Sequence, residues 1–151
     1  MERVTGAGGM FFQARDPDAL TRWYSDHLGV DAPPGSYGVS SWRQEAGATV
    51  FAALPVGSEH FPAGTAWAVT FRVRDLAAMV TQLEDAGIPV RRDPVSYPNG
   101  VFADLQDPEG HAIQLWQAPV RAHMDDRPGA VPTPAAALLP GPPVDHLSAR
   151  T

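Results

Sequence analysis

The sequence predicts an α+β protein built from two tandem copies of one β-α-β-β-β module. The first observation is an internal repeat: residues 12–19 reappear as residues 71–78, with Phe, Arg, Asp and Ala in register at an offset of 59. The second observation is that each copy begins with an apolar alternation typical of a strand, followed by an amphipathic helix. A period this long indicates two copies of a small module, because a solenoid needs three or more shorter repeats.

The first module is predicted over residues 6–54. Residues 8–15 alternate with a period of two, which predicts a strand. Asp16 and Pro17 then start a helix, because Asp caps free N–H groups and Pro suits the first helical position. Helical spacing of apolar residues continues until Gly29 ends the helix. A hairpin is predicted from residues 37–45 and 48–54.

The second module is predicted over residues 65–118, after a linker at 55–64 that is rich in Pro and Gly. It repeats the same order: a strand around 68–73, then a helix from about Leu76 to Ala86 that ends at Gly87. Three further strands are predicted near 89–92, 100–106 and 111–117. Residues 119–151 contain many prolines and are predicted to form an irregular or extended tail.

The composition excludes several functional classes. The net charge of -6 argues against a nucleic-acid footprint, and no apolar run has the length of a membrane span. The chain has no cysteine, and all eleven of its cationic residues are arginines, so thiolate and lysine Schiff-base chemistry are excluded. We expect a cytoplasmic protein without a signal peptide, and the abundance of Arg, Ala, Gly and Pro is typical of a GC-rich bacterial genome.

Two motifs resemble a known superfamily. They are Phe-x-x-x-x-Asp-Pro…Trp-Tyr-x-x-x-Leu-Gly over residues 11–29 and Asp-Pro-Glu-Gly-x-x-Ile-x-Leu-Trp over residues 107–116. Both resemble the vicinal oxygen chelate superfamily, which includes glyoxalase I, extradiol dioxygenases, fosfomycin-resistance transferases and bleomycin-resistance proteins. The resemblance spans roughly residues 6–118. It implies a curled, eight-stranded mixed sheet around a pocket, and a homodimer.

The resemblance also implies where a metal would bind. Metal-using members take four His, Gln or Glu ligands from the first and last strands of each module. The matching positions here are Gly9, Phe51, Ala68 and Gln114. Three of these residues have no donor side chain, and one neutral amide does not hold a metal alone. We therefore expect no metal and no other cofactor.

The five histidines do not suggest a metal site either, since no two share a ligand spacing. His111 follows the turn glycine Gly110 at a predicted strand start, where a turn-stabilising role competes with a catalytic one. The others lie in a helix end, the linker and the tail: His27, His60, His123 and His146.

Strand alternation predicts which side chains line the pocket. They are aromatic rings with a few amides, hydroxyls and one guanidinium, which suits a flat ligand that is stacked and then oriented by hydrogen bonds. An inward-facing Arg72 indicates an anionic ligand, or a partner such as Asp104 or Glu45. The predicted ligand-binding residues are Phe11, Gln13, Trp42, Gln44, Phe51, Thr70, Arg72, Phe102, Gln114 and Trp116.

Three functions remain open from the sequence. The first is a metal-free binding protein that sequesters an aromatic or polycyclic compound, as drug-resistance proteins do. The second is a metal-independent enzyme of natural-product metabolism that polarises or deprotonates its substrate. The third is a metal-dependent lyase or dioxygenase, against which the empty ligand positions argue. Candidate catalytic residues for an enzyme are Gln114, Arg72, Tyr97 and His111.

Overall fold

The computed structural model describes residues 1–37, 41–58, 61 and 65–119. It shows two helices and one four-stranded mixed sheet, which confirms an α+β fold. The elements are α1 (Pro17–Leu28), β1 (Val69–Arg72), α2 (Leu76–Asp85), β2 (Arg91–Arg92), β3 (Val101–Gln106) and β4 (Ala112–Gln117). No helix in the described part of the chain is long and apolar enough to cross a bilayer.

The chain divides into two compact units. One consists of the described residues of Met1–Gly47 together with the turn Asp107–Gly110, and the other of the described residues of Ala48–Gln106 and of those from His111 to Pro119. The second unit contains the sheet, whose strand order is β1-β4-β3-β2. β1 runs parallel to β4, while β4 with β3 and β3 with β2 are antiparallel. Within the second unit, therefore, the predicted β-α-β-β-β order is observed.

Helix α2 packs on one face of this sheet, and the two together form the core of the second unit. Leu76, Val80 and Leu83 lie on the buried side of the helix, where helical spacing places them together. The sheet contributes a facing set of fully or nearly fully buried residues, which are Ala103, Leu105, Ile113 and Leu115. Strand alternation means that the residues between these lie on the opposite, open face of the sheet.

In the first unit, helix α1 is held to the turn Asp107–Gly110. The buried Tyr24 hydroxyl donates a hydrogen bond to Asp107 Oδ2 at 2.9 Å. Glu109 accepts the backbone N–H groups of Arg15 at 2.7 Å and Asp16 at 2.9 Å. The chain entering α1 is thus fixed by a carboxylate that satisfies backbone donors preceding the helix.

The two helices begin in the same way, as the repeat predicts. Asp16 accepts the Ala19 N–H at 3.0 Å, and Asp75 accepts the Ala78 N–H at 2.9 Å. Both are N-cap hydrogen bonds to the third helical residue. Helix α1 ends at Gly29, whose φ of +67° lies in the left-handed region that glycine favours.

The eight-stranded sheet and the tandem modules are not confirmed. The described residues before position 69 contain no strand. The strand predicted at 8–15 is therefore not observed, and neither are strands in the described parts of 37–45 and 48–54. Residues 38–40, the linker residues 59–60 and 62–64, and residues 120–151 lie outside the described part of the chain. His60, His123 and His146 are among them.

Candidate functional site

The open face of the sheet carries a row of four hydrogen-bonded polar side chains, one from each strand. Thr70 Oγ1 donates to Gln114 Oε1 at 3.3 Å, and Gln114 Nε2 donates to Asp104 Oδ1 at 3.2 Å. Asp104 Oδ2 in turn lies 2.5 Å from Arg91 Nη2. Strand register explains this arrangement, because Gln114 is directly opposite Thr70 on one side and Asp104 on the other. We call Thr70, Gln114, Asp104 and Arg91 the polar row.

An aromatic cluster of Trp116, Phe102 and Tyr97 lies beside the polar row on the same face. The rings of Trp116 and Phe102 are almost parallel, with an interplanar angle of 5° and centroids 6.3 Å apart. Tyr97 meets the Phe102 ring edge-on at 6.0 Å. Trp116 and Phe102 are also direct cross-strand partners, and such aromatic pairs stabilise a sheet. The cluster leaves Trp116 half-buried and Phe102 buried.

The loop between β2 and β3 holds Trp116 in place. The indole Nε1 donates to the backbone oxygen of Asn99 at 2.8 Å. The next residue, Gly100, has a φ of +129°, and a Cβ atom there would collide with the carbonyl oxygen of Gln117 and lie 2.7 Å from the indole nitrogen. Only glycine allows the loop to approach the indole this closely.

Tyr97 carries a titrating hydroxyl at the rim of the aromatic cluster. It donates to Asp93 Oδ2 at 3.1 Å, and the other oxygen of Asp93 accepts the backbone N–H of Val95. Desolvation, followed by the hydrogen bond to Asp93, raises the pKa of the Tyr97 hydroxyl above its ordinary value. At neutral pH this group is therefore a hydrogen-bond donor and a poor base.

The structure brings five sequence-predicted ligand residues onto or beside the sheet of the second unit. Thr70 is opposite Gln114, and Arg72 is opposite Trp116, which Phe102 flanks on β3. His111 lies at the other end of β4, where it stacks on Trp67 with centroids 5.4 Å apart. The structure therefore does not bring His111 into the aromatic cluster.

The remaining predicted ligand residues do not lie on a strand of this sheet. Phe51 belongs to the second unit but is fully exposed. The rest belong to the first unit, where Phe11, Gln13 and Gln44 are exposed and Trp42 is half-buried. Their predicted role as pocket residues stays a prediction.

The sequence did not indicate Arg91, which is the partner of Asp104. Asp104 was expected as a possible partner of Arg72, whereas it pairs with Arg91 across β2 and β3. Alternation along β3 from Phe102 would have placed Asp104 on the same face. The partner on β2 required the register between the two strands, which no local pattern in the sequence supplies.

The residues at the family's metal-ligand positions do not fit a metal ion. Gly9, Phe51 and Ala68 offer no donor atom, and the amide of Gln114 is hydrogen-bonded on both sides within the polar row. Across the described ranges, no three His, Cys, Asp or Glu residues cluster in a way that suits a metal.

Known proteins share this fold. TnmS3, an antibiotic binding protein from Streptomyces sp. CB03234, is 23% identical over 78% of this chain and 100% of its own, with a TM-score of 0.50. Lactoylglutathione lyase from Agrobacterium tumefaciens is 19% identical over 77% of this chain and 96% of its own, with a TM-score of 0.51. At these identities the likeness shows the fold alone.

A glyoxalase/bleomycin resistance protein from Streptomyces sp. CB03234 is 33% identical, over 32% of this chain and 42% of its own, with a TM-score of 0.30. This chain therefore spans less than half the length of that relative. No curated protein matches the chain. The family model of the Glyoxalase/Bleomycin resistance protein/Dioxygenase superfamily matches residues 7–115, which include both helices and most of the sheet. Because this match covers more than half of the chain, the chain belongs to the Glyoxalase/Bleomycin resistance protein/Dioxygenase superfamily.

Proposed function

We propose that this protein binds and sequesters an aromatic or polycyclic small molecule without a metal, as drug-resistance proteins do. The observation that carries the proposal is the parallel Trp116–Phe102 pair beside a row of hydrogen-bonding side chains on one sheet face. A flat ligand gains from such a surface in two ways. Its rings stack on an indole held by Asn99, and its polar edge meets oriented hydrogen-bonding groups.

The charge of Arg72 supports an anionic or carbonyl-bearing ligand. Arg72 is half-buried on β1 and lies directly opposite Trp116. A guanidinium beside an aromatic surface binds a carboxylate or phenolate through charged hydrogen bonds, which are stronger than neutral ones. A polycyclic acid or quinone would therefore stack on Trp116 and present its oxygen to Arg72.

A binding role is also consistent with the relatives. TnmS3 is an antibiotic binding protein of the same fold. Lactoylglutathione lyase has this fold as well, so the fold does not separate binding from catalysis. We retain the expectation of a homodimer in the bacterial cytoplasm as part of this proposal.

Tyr97 favours the second candidate function, a metal-independent enzyme. Its hydroxyl, which donates to Asp93 at 3.1 Å and stays protonated at neutral pH, would accept a hydrogen bond from a substrate N–H or O–H and orient it for reaction. Conversion of a bound compound to a new product, lost in Tyr97→Phe, would favour the enzyme over the sequestering protein.

A calorimetric titration with anthraquinone-2-carboxylate tests the proposal. This probe is flat, carries carbonyl groups and is anionic. We expect Trp116→Leu to weaken binding, and Arg72→Ala to weaken it by about 1.5–3 kcal/mol, the range for a charged hydrogen bond. Both variants should keep the wild-type circular dichroism spectrum.

Two matched substitutions serve as controls. Trp67→Leu makes the same change at a tryptophan that stacks on His111, outside the aromatic cluster. Arg92→Ala removes an arginine of the helix-packed face, where its side chain contacts the Ala77 carbonyl at 3.2 Å. Wild-type binding by Arg72→Ala, together with loss of binding by Arg92→Ala, would mean that the ligand uses the other face.

A further inference from the structure

The amide of Gln114 has half of its hydrogen-bonding capacity engaged by neighbouring strands. A primary amide offers two N–H donors and two carbonyl lone pairs. One N–H is donated to Asp104, and one lone pair accepts the Thr70 hydroxyl. Among the described residues, one donor and one acceptor of Gln114 therefore remain for a ligand.

The orientation of this amide is determined by Asp104. A carboxylate accepts hydrogen bonds and does not donate them, so the NH₂ end of Gln114 must face Asp104 and its oxygen must face Thr70. The second oxygen of Asp104 is paired with Arg91 at 2.5 Å, which holds the carboxylate in position. Asp104 thus prevents the Gln114 amide from exchanging the positions of its oxygen and nitrogen.

Because the engaged N–H and lone pair of Gln114 face the neighbouring strands, the planar geometry of an amide leaves its remaining donor and acceptor at the tip of the side chain. Both engaged atoms are satisfied by lateral neighbours, Thr70 on β1 and Asp104 on β3, and the side chain rises from β4 between them. An amide satisfied on both flanks presents its adjacent N–H and C=O at its tip. Gln114 and Trp116 are two residues apart on β4, about 6.8 Å, so a stacked ring is within reach of this tip.

We infer that Gln114, oriented by Asp104, selects ligands whose flat ring carries a cis-amide edge, as in a lactam or an imide. The adjacent C=O and N–H of such an edge are complementary to the adjacent N–H and C=O of the Gln114 tip, and the two groups form a paired set of hydrogen bonds. Asp104 is a positioning residue in this recognition. The inference rests on the proposed function, since the ring must first bind on the aromatic cluster.

Three nearly isosteric probes test this recognition. Quinolin-2(1H)-one has the cis-amide edge, whereas 1-methylquinolin-2-one and 2-methoxyquinoline block it with a methyl group on different atoms. We expect wild-type protein to bind the unblocked lactam about tenfold more tightly than either analogue, which corresponds to about 1.4 kcal/mol. All three probes share the same flat bicyclic ring, so the affinity ratio reports mainly the hydrogen bonds.

Four variants test which side chains produce the preference for the unblocked lactam over its methylated analogues. Gln114→Met, which keeps the length of the side chain, should bring the ratio to about one without weakening the methylated probes. Asp104→Ala should lower the ratio because the amide is no longer held, and Thr70→Val should lower it through the opposite flank. Asp85→Ala, the same substitution at an exposed residue of α2, should leave the ratio unchanged.

The outcomes separate this inference from the proposed function. Equal binding of the three probes by wild type, or a full ratio in both Asp104→Ala and Thr70→Val, overturns the cis-amide inference and leaves the binding function in place. Failure of wild type to bind any of these probes or anthraquinone-2-carboxylate overturns the proposed function as well. A ratio lost in Gln114→Met and lowered in Asp104→Ala supports the inference.

Discussion

Replacing Tyr24 with Phe should destabilise the first unit by about 1.5–3 kcal/mol, the range for a hydrogen bond to a charged group. Tyr24 and Asp107 are only 7% and 5% exposed, and the Tyr24 hydroxyl donates to Asp107 Oδ2 at 2.9 Å. In the Tyr24→Phe variant, the buried carboxylate of Asp107 loses the hydrogen bond from the Tyr24 hydroxyl. The backbone N–H of Glu109 still donates to Asp107 Oδ1 at 2.9 Å. Because this second hydrogen bond remains, we expect the loss of stability to stay between about 1.5 and 3 kcal/mol.

The pH dependence of this effect has a definite sign. Burial, the nearby charge of Asp107 and the hydrogen bond to it all raise the pKa of Tyr24 above its ordinary value of 10.0. A group whose pKa is raised in the folded state contributes its full stability below its unfolded pKa and loses that contribution as the pH rises above it. The difference in stability between wild type and Tyr24→Phe should therefore be constant between about pH 7 and pH 9 and should narrow above about pH 10.

Urea denaturation followed by tryptophan fluorescence measures both effects, because Trp23 meets the Tyr24 ring edge-on at 5.2 Å. Tyr37→Phe, at a fully exposed tyrosine, is the matched control and should change the stability by less than about 0.5 kcal/mol. A Tyr24→Phe variant whose unfolding free energy lies within that margin of wild type at neutral pH would contradict this prediction. So would a stability difference between the two proteins that stays constant up to about pH 11.

Three further outcomes are expected. Gly100→Ala should lower the stability by at least about 2 kcal/mol in thermal denaturation, since its φ of +129° and the nearby Gln117 carbonyl exclude a Cβ atom, whereas Gly35→Ala should have little effect. Elemental analysis of the purified protein should find no stoichiometric Zn, Ni, Mn or Fe, and one equivalent that is lost in Gln114→Met would contradict this. Light scattering should give about twice the 16.1 kDa of one chain, because β1 and β2 leave the two edges of the described sheet open, and a monomer at micromolar concentration would contradict it.

Both helices could be predicted because the signals that begin and end a helix are local. Asp16-Pro17 and Gly29 lie within one turn of the ends of α1, and Asp75 and Gly87 stand in the same relation to α2. A cap requires only that a side chain reach a backbone N–H three residues away, so its geometry is encoded in a short stretch of chain. The predicted boundaries therefore lie close to the observed ones.

The strands of the second unit were predicted for a related reason, whereas those of the first were not confirmed. Alternation along 100–106 and 111–117 places Phe102, Gln114 and Trp116 on one face, and the observed register agrees. Residues 8–15 alternate just as clearly, yet the described chain there forms no strand. A strand needs a partner, and alternation alone does not say which segment provides one.

Residue identity and local periodicity were sufficient to establish the family motifs, the helix caps, the absence of thiol and lysine chemistry, and the sheet face that carries Gln114 and Trp116. The contacts that give this face its chemistry depend on strand pairing. Arg91 meets Asp104 from thirteen residues away, and Asn99 meets Trp116 from seventeen. These contacts form because strand register and the close approach of the loop at Gly100 bring groups that are distant in sequence within 3 Å of each other. No pattern within a single strand encodes either of them.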